Sequence, residues 1–127
     1  MDYLATVRGK RCAGAHLIID LYDVEPARLK DAGLIEAALR TCIERAKATL
    51  LHIHLHIFSE GGGISGVAVL AESHISVHTW PEVGYGAFDV FMCGKTEPEE
   101  AIHVLKEVFA PKTCDVQLLA RGSALAA

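Results

Sequence analysis

LAESHISVHTWPE, residues 70–82, lies between two apolar segments of the chain, residues 67–70 and residues 88–91. The apolar segments predict buried strands, whereas the stretch itself is dense in hydroxyl, imidazole and carboxylate groups and has no helical periodicity. Polar groups between buried strands must be satisfied by hydrogen bonds or take part in chemistry. We therefore interpret residues 70–82 as the functional centre of the chain.

Composition limits the class of protein. The 127 residues are 51% hydrophobic and 22% charged, which indicates one globular domain spanning residues 1–127. A net charge of -4 argues against a nucleic-acid partner or an anionic membrane surface. The absence of a long apolar run and of signal-peptide features predicts a cytoplasmic protein with no membrane partner. The four cysteines, which form no C-x-x-C pair, are interpreted as free thiols.

Alternating and helical patterns predict the element order β-α-β-β-β-β-α-β. One helix is expected from Pro26 or Asp31 to Ala48, and a second begins at Pro98 and ends before Pro111. Two helices on one face of an antiparallel sheet give an α+β two-layer sandwich. Residues 1–13 are expected to be a flexible lead-in or an edge segment, and residues 122–127 a disordered tail.

The uncovered face of this sheet is expected to be rich in histidine. His52, His54 and His56 alternate with Leu51, Ile53, Leu55 and Ile57, and their face is shared with His16 and Asp20. Three imidazoles on one strand face could bind Zn²⁺, so a metal-binding protein is one hypothesis. No carboxylate in that strand completes such a site. The favoured interpretation is therefore a face that meets a second subunit or lines a cleft.

Two further features suggest chemistry without defining a reaction. Ser73 and His78 suit nucleophilic catalysis only if the backbone bends between them. Residues 63–66 do not match the G-x-S-x-G motif of hydrolases. Cys93 at a strand end is either a core residue or a catalytic thiol. The residues alone therefore indicate a site within positions 65–93.

The motif as a whole closely resembles the prokaryotic S-adenosylmethionine decarboxylase proenzymes. The similar region runs through residues 72–82 and 84–94, and extends to residues 14–17, 20–22 and 64–67. The resemblance implies that the chain cuts itself between Glu72 and Ser73 into a β chain, residues 1–72, and an α chain, residues 73–127. It also implies a homodimer of processed αβ units that pack sheet against sheet, with the active sites near the interface.

The resemblance assigns a role to each residue of the cleavage site. Ser73 Oγ attacks the Glu72 carbonyl, and the resulting ester eliminates to leave a pyruvoyl group at position 73. This covalent cofactor forms a Schiff base with the substrate amine and accepts electrons as CO₂ leaves. His78 matches the base of self-processing, Ser65 a residue that assists it, and Cys93 the proton donor of turnover.

The implied reaction converts S-adenosylmethionine to its decarboxylated form, the aminopropyl donor for spermidine and other polyamines, without a metal. Substrate binding falls to Phe58, Trp80 and Glu82, with Phe58 on the adenine or the sulfonium and Glu82 on the ribose hydroxyls.

Four departures from the family pattern leave the substrate open. Ile57 stands where the family commonly has arginine, Val83 replaces a usual tyrosine, and Gly86 replaces a usual alanine. The loop of residues 59–63 is longer by one residue. All four are expected to lie around the substrate pocket and not the self-cleavage residues, so a pyruvoyl-dependent arginine or ornithine decarboxylase is the alternative.

Overall fold

One six-stranded antiparallel sheet forms the centre of the molecule. A computed structural model describes residues 4–59 and 61–125. The strands lie in the order β4-β5-β6-β7-β3-β8, and every neighbouring pair is antiparallel. Their bounds are β3 Gly14–Tyr22, β4 Leu50–Ile57, β5 Ile64–Leu70, β6 Ser73–Trp80, β7 Tyr85–Met92 and β8 Thr113–Arg121, with β1 and β2 lying outside this sheet.

Helices cover one face of the sheet, as the sequence predicted. They are α1 Pro26–Leu29, α2 Ala32–Arg45 and α3 Glu100–Phe109. Their apolar side chains share a single core with the inward residues of the strands. Among the largest fully buried side chains are Phe109, Ile19, Leu21, Leu29, Ile35, Leu39, Ile64, Ile75, Met92 and Leu105. The α+β two-layer sandwich is therefore confirmed.

Of the two starts predicted for the first helix, Asp31 is confirmed and Pro26 is wrong, because Pro26–Leu29 forms a separate short helix. Asp31 adopts an extended conformation, and its carboxylate accepts a hydrogen bond from the backbone N–H of Leu34 at 3.0 Å. This side-chain cap begins a new helix, so the chain leaves the path of α1 after Leu29 and restarts as α2. The second predicted helix is confirmed as α3, which ends at Ala110 in a left-handed conformation just before Pro111.

Residues 5–12 form a hairpin rather than a flexible lead-in, and residues 1–3 lie outside the described part of the chain. Strands β1 Ala5–Val7 and β2 Lys10–Cys12 pair with each other in a separate two-stranded sheet. Ala5, Val7 and Cys12 are buried against Ala15 in a small second cluster. At the other end, residues 123–125 form a short 3₁₀ helix, which contradicts the predicted disorder there. Residues 126–127 lie outside the described part of the chain.

Strand β4 is an edge strand whose alternation is interrupted. The register with β5 shifts between Leu50 and His52, and Leu51 is 63% exposed instead of pointing into the core. Ile53 and Leu55 pack on the core, whereas His52, His54 and His56 are exposed, as expected. In the two described ranges, no helix has the length and apolar character needed to cross a membrane.

Candidate active site

The Glu72-Ser73 bond lies in the tight turn between β5 and β6. Leu70 pairs with Ser73, so Ala71 and Glu72 form the tip of this hairpin. Thr49, just before β4, holds the tip from the side. Its carbonyl accepts from Ala71 N–H at 2.9 Å, and its N–H and hydroxyl donate to the Glu72 carboxylate at 2.9 and 3.4 Å. The Glu72-Ser73 bond is therefore fixed on a braced turn.

Two donors converge on the carbonyl oxygen of Glu72. The backbone N–H of Cys93 lies 3.2 Å from this oxygen, and the Cys93 thiol donates to it at 3.1 Å. Hydrogen bonds of this kind stabilise the negative charge that develops on a carbonyl oxygen when a nucleophile attacks the carbon. Ser73 itself has φ 149°, a conformation that residues with a side chain rarely adopt. Strain of this kind concentrates at functional sites.

The Cys93 thiol is suited to be an acid rather than a thiolate nucleophile. Burial raises the pKa of Cys93, the charge of Glu72 raises it further, and a hydrogen bond with the Ser73 side chain opposes both. Because the net effect raises the pKa, the thiol stays protonated at neutral pH. It can therefore deliver a proton to a carbon bound near position 73.

Ser65 and His78 form a second pair on the open face of the sheet, the face that the helices leave uncovered. They are cross-strand partners, and Ser65 Oγ lies 2.8 Å from His78 Nδ1. This contact occupies Nδ1 and leaves Nε2 available. When Nδ1–H donates to the Ser65 oxygen, Nε2 carries a lone pair and can act as a base.

The bend that would bring Ser73 to His78 is absent. Both residues belong to β6, which pairs with β5 from Ser73 to His78 and with β7 from Ser73 to Trp80. An antiparallel strand rises about 3.4 Å per residue, so their Cα atoms lie about 17 Å apart. Within one copy of the chain, His78 and Ser65 cannot reach the Glu72-Ser73 bond. The single-chain Ser-His arrangement considered from the sequence is therefore wrong.

The predicted substrate residues lie near His78, at the sheet end away from Ser73. Trp80 is the last residue of β6 and Phe58 follows β4, and both are exposed. Glu82 lies in the 3₁₀ turn Pro81–Val83 and lines an open cleft of about 590 Å³. Neither this cleft nor a smaller cavity of about 220 Å³ under the N-terminal hairpin is lined by Ser73 or His78.

Only some of the four departures from the family pattern lie on the open face of the sheet. Gly86 is buried on the helix side, where an added Cβ would lie 3.3 Å from the Phe88 ring and 3.4 Å from Leu29. Ile57 pairs with Ile64, a buried core residue, so its position in the register is also on the helix side, and its side chain at the end of the edge strand is 53% exposed. Gly86 and Ile57 are therefore on the opposite face of the sheet from His78, and the expectation that all four departures surround the substrate pocket stays a prediction. Val83 is exposed and lines the cleft beside Glu82.

A hydrogen-bonded hub that the sequence did not reveal occupies the middle of the open face. Asp89 Oδ1 accepts from His16 Nε2 and His74 Nε2, each at 3.0 Å, and Ser76 Oγ donates to Asp89 Oδ2. Burial raises the pKa of Asp89, but the hydrogen bonds and the nearby His74 more than offset it, so the pKa lies below its ordinary value. The sequence pattern that could have indicated this hub is that His16, His74, Ser76 and Asp89 all alternate with buried residues on their strands.

The geometry of this hub favours hydrogen bonding over metal binding. Among residues 4–59 and 61–125, the group of three potential ligand atoms within 4.8 Å of one another is His16, His74 and Asp89. Arg121 donates to His16 Nδ1 at 3.0 Å. That nitrogen must therefore accept, which places the proton of the neutral ring on Nε2 and directs it to Asp89. The zinc hypothesis based on His52, His54 and His56 gains no support, because they form no such convergent group.

Comparison with known proteins identifies relatives over most of the chain. Residues 15–122 match the family model described as S-adenosylmethionine decarboxylase. An S-adenosylmethionine decarboxylase proenzyme of Parasynechococcus marenigrum is 53% identical over 95 residues, covering 74% of this chain and 73% of the relative. One from Methanococcus aeolicus is 44% identical over 111 residues, covering 87% and 94%. The crystal structure of the Aquifex aeolicus adenosylmethionine decarboxylase superposes with a TM-score of 0.79 at 31% identity, covering 96% of this chain and 93% of that one.

The Asp89 hub generates a stability prediction. Replacing Asp89 by Asn should lower the free energy of unfolding by about 1–3 kcal/mol near pH 6, because three donors lose a charged acceptor. A carboxyl group whose pKa is lowered by folding contributes stability above its unfolded-state pKa of 3.8, and that contribution is lost as the pH falls through the folded-state pKa. The deficit of the variant should therefore shrink below about pH 4 in urea unfolding curves.

Asp115→Asn, at an exposed position on β8, serves as the control and should change the unfolding free energy by less than about 0.5 kcal/mol. An Asp89→Asn deficit that equals the control, or that stays constant as the pH falls, would show that the hub does not stabilise the fold through the ionised carboxylate.

Proposed function

The chain belongs to the S-adenosylmethionine decarboxylase family, and on that premise we propose that it is a self-processing, pyruvoyl-dependent decarboxylase of S-adenosylmethionine. Its product is the decarboxylated compound that donates aminopropyl groups for spermidine and polyamine synthesis. One observation carries the proposal: the carbonyl oxygen of Glu72 accepts two hydrogen bonds from Cys93, next to a serine at φ 149°.

The first step is an N-to-O acyl shift at the braced turn. Ser73 Oγ attacks the Glu72 carbonyl carbon, and the developing oxyanion is stabilised by the N–H and the thiol of Cys93. The bond from this carbon to Ser73 N breaks, and the proton lost from the hydroxyl is balanced by one gained at the nitrogen. An ester then joins residue 72 to the side chain of residue 73. Breaking the amide also releases the strain at Ser73.

The second step is a β-elimination: a base removes the proton from the Cα of residue 73, the bond from Cβ to Oγ breaks, and residues 1–72 leave with a C-terminal carboxylate. The dehydroalanine at position 73 then takes up water and loses ammonia, which leaves the pyruvoyl group. His78 is the imidazole best prepared to be the base, because the Ser65 oxygen can hold its Nδ1 proton and leave Nε2 basic. The distance of about 17 Å within one chain rules out its action on its own turn. We therefore infer that His78 of the partner subunit supplies the base, so that each site is built from two copies.

The open face has the properties of a surface that a second copy covers. It carries the Asp89 hub and exposed histidines beside partly exposed apolar side chains, namely Val67, Val69, Leu119 and Trp80. A two-fold axis that runs parallel to the sheet and perpendicular to β6, and passes over the strand between Ile75 and Ser76, would place Ser73 opposite the partner's His78, since the two residues are equally far from that point along β6. Such an isologous contact makes two equivalent sites at once. The homodimer would also bury the His52, His54 and His56 row.

The residues around position 73 fit the cofactor that the proposal requires. A pyruvoyl group supplies a carbonyl that binds the substrate amine and accepts electrons as CO₂ leaves. Cys93 then delivers a proton to the substrate carbon, for which its raised pKa keeps the thiol protonated. Phe58, Trp80 and Glu82 of the partner subunit lie near His78 and would hold the nucleoside end of the substrate. No metal ion enters this scheme.

S-adenosylmethionine is favoured over arginine or ornithine as the substrate. The relatives are named for it, and two of the four departures that opened the alternative, Ile57 and Gly86, lie on the helix side. The exposed aromatic rings of Phe58 and Trp80 suit a purine and a sulfonium rather than an aliphatic amino acid. The cytoplasmic location and the lack of nucleic-acid and membrane partners stay predictions from composition.

Self-cleavage is tested directly by mass spectrometry of the purified protein. Wild type should give two fragments, residues 1–72 and residues 73–127, the second with a blocked N-terminus. Ser73→Ala should remain one intact chain because it lacks the attacking hydroxyl. Ser76→Ala, another serine on β6, should still be cleaved. Wild type that stays intact after prolonged incubation would overturn the proposed function.

Cys93 should affect cleavage and turnover differently. Cys93→Ser keeps a side-chain donor for the Glu72 carbonyl, so it should be cleaved faster than Cys93→Ala, which loses a donor worth about 10²–10³ in rate. Both variants should lose decarboxylation by a factor on the order of 10² to 10⁴, since neither carries an acid of suitable strength. Cleavage is followed by mass spectrometry and turnover by CO₂ release.

Cys114→Ser on β8 is the matched control and should leave both rates near those of wild type. Normal turnover of cleaved Cys93→Ser would show that the proton donor is another group.

A further inference from the structure

Three aromatic rings are stacked across the open face at the end that carries His78. The ring of Trp80 lies over that of Tyr85 with centroids 5.1 Å apart and planes at 23°. Tyr22 stacks on the other face of Tyr85 at 5.4 Å and 18°. Tyr85 is therefore the middle ring, and it covers one face of Trp80.

Tyr85 is fixed at its tip as well as on its two faces. Its hydroxyl donates to Asp20 Oδ1 at 2.5 Å. The same hydrogen bond, followed by burial and the negative charge of Asp20, raises the pKa of Tyr85 to about 12. Asp20 faces Ala87 on β7, and this small side chain leaves room for the tyrosine to lean along the strand toward the carboxylate. The ring can thus neither rotate freely nor lose its proton at neutral pH.

On the side of Trp80 away from Tyr85, the neighbouring residue is a glycine just before β5. Gly63 lies between Phe58 and Trp80, and Phe58 N–H donates to the Gly63 carbonyl at 3.1 Å. An added Cβ at Gly63 would be only 2.3 Å from the carbonyl oxygen of Thr79, so a side chain is excluded there. Trp80 is 41% exposed and Phe58 64% exposed. The His78 ring also contacts Trp80, but at 6.3 Å and a tilt of 42°, so the stacked contact that sets the plane of the Trp80 ring is the one with Tyr85.

We propose that Tyr85, anchored by Asp20, is a positioning residue that fixes the ring of Trp80 for stacking on the purine of the substrate. The inference rests on the proposed function and extends it to residues outside the predicted site. Aromatic pairs have preferred offset or edge-to-face arrangements, so a ring held in place gives up less freedom on binding than a mobile one. A Trp80 ring held in this orientation favours substrates that carry a flat base and disfavours aliphatic amino acids.

The protein contains a single tryptophan, so its fluorescence reports on this site alone. The measurement uses the full chain carrying Ser73→Ala, which cannot form the cofactor, with adenosine as the titrated probe. Adenosine should quench the emission of Trp80. Adding Tyr85→Leu should shift the emission and weaken adenosine binding about tenfold, corresponding to the upper range of an aromatic pair. Tyr22→Leu, at the ring that does not stack on Trp80, should weaken binding less than about threefold.

In the processed enzyme, Tyr85→Leu should raise KM for S-adenosylmethionine about tenfold while kcat changes less than about threefold. Cleavage at Ser73 should be unaffected by Tyr85→Leu. The two hypotheses can therefore be tested separately: failure of the wild type to cleave would overturn the proposed function, whereas the adenosine titration does not depend on cleavage. If Tyr85→Leu does not fold, Tyr85→Phe and Asp20→Ala replace it. Each should weaken adenosine binding. The double variant should bind adenosine as tightly as the weaker-binding single variant, because both substitutions remove the same hydrogen bond.

Adenosine binding by Tyr85→Leu within twofold of the parent protein, or equal effects of Tyr85→Leu and Tyr22→Leu, would overturn the inference. For the second pair of variants, additive effects of Tyr85→Phe and Asp20→Ala, or no effect of either, would overturn it equally.

Discussion

The hydrogen bonds from Cys93 to the carbonyl oxygen of Glu72 are the contact on which the proposed chemistry depends. They exist because β5, β6 and β7 are antiparallel neighbours in a fixed register, with Leu70 opposite Ser73 and Ser73 opposite Met92. A shift of one residue in either pairing would turn the Cys93 side chain to the other face and remove the thiol from the carbonyl. Buried core residues such as Ile75 and Val90 hold this register, and they therefore help to keep Cys93 beside the Glu72 carbonyl.

Under the proposed function, the same regularity of β6 requires a second copy of the chain. A strand that is paired on both sides cannot bend His78 back to Ser73, so the nucleophile and the base are held at opposite ends of one rigid element. Two-fold symmetry resolves this separation by placing opposite ends of two identical strands together. The open face would then have one explanation for several features: its exposed apolar side chains, its histidine row, and a central carboxylate that accepts hydrogen bonds from His16, His74 and Ser76.

Much of the fold followed from periodicity, because side chains alternate along a strand and recur on one face of a helix. The exceptions arise where local chemistry overrides the pattern. Asp31 caps a new helix, and a register shift near Leu50 exposes Leu51. The cleavage motif was recognisable because its residues are contiguous. The Asp89 hub and the Asp20-Tyr85 bond join residues 13 to 73 positions apart, and single-sequence patterns carry no information about such pairs.

The composite site is tested most directly by combining two inactive chains. Ser73→Ala and His78→Ala chains with different affinity tags are co-expressed, and the mixed dimers are isolated through both tags and analysed by mass spectrometry. Each variant alone should stay uncleaved. In the mixed dimer, the His78→Ala chain should be cut between Glu72 and Ser73 by the intact histidine of its partner, while the Ser73→Ala chain remains whole. Mixed dimers in which both chains remain intact, or efficient cleavage of His78→Ala alone, would contradict the account.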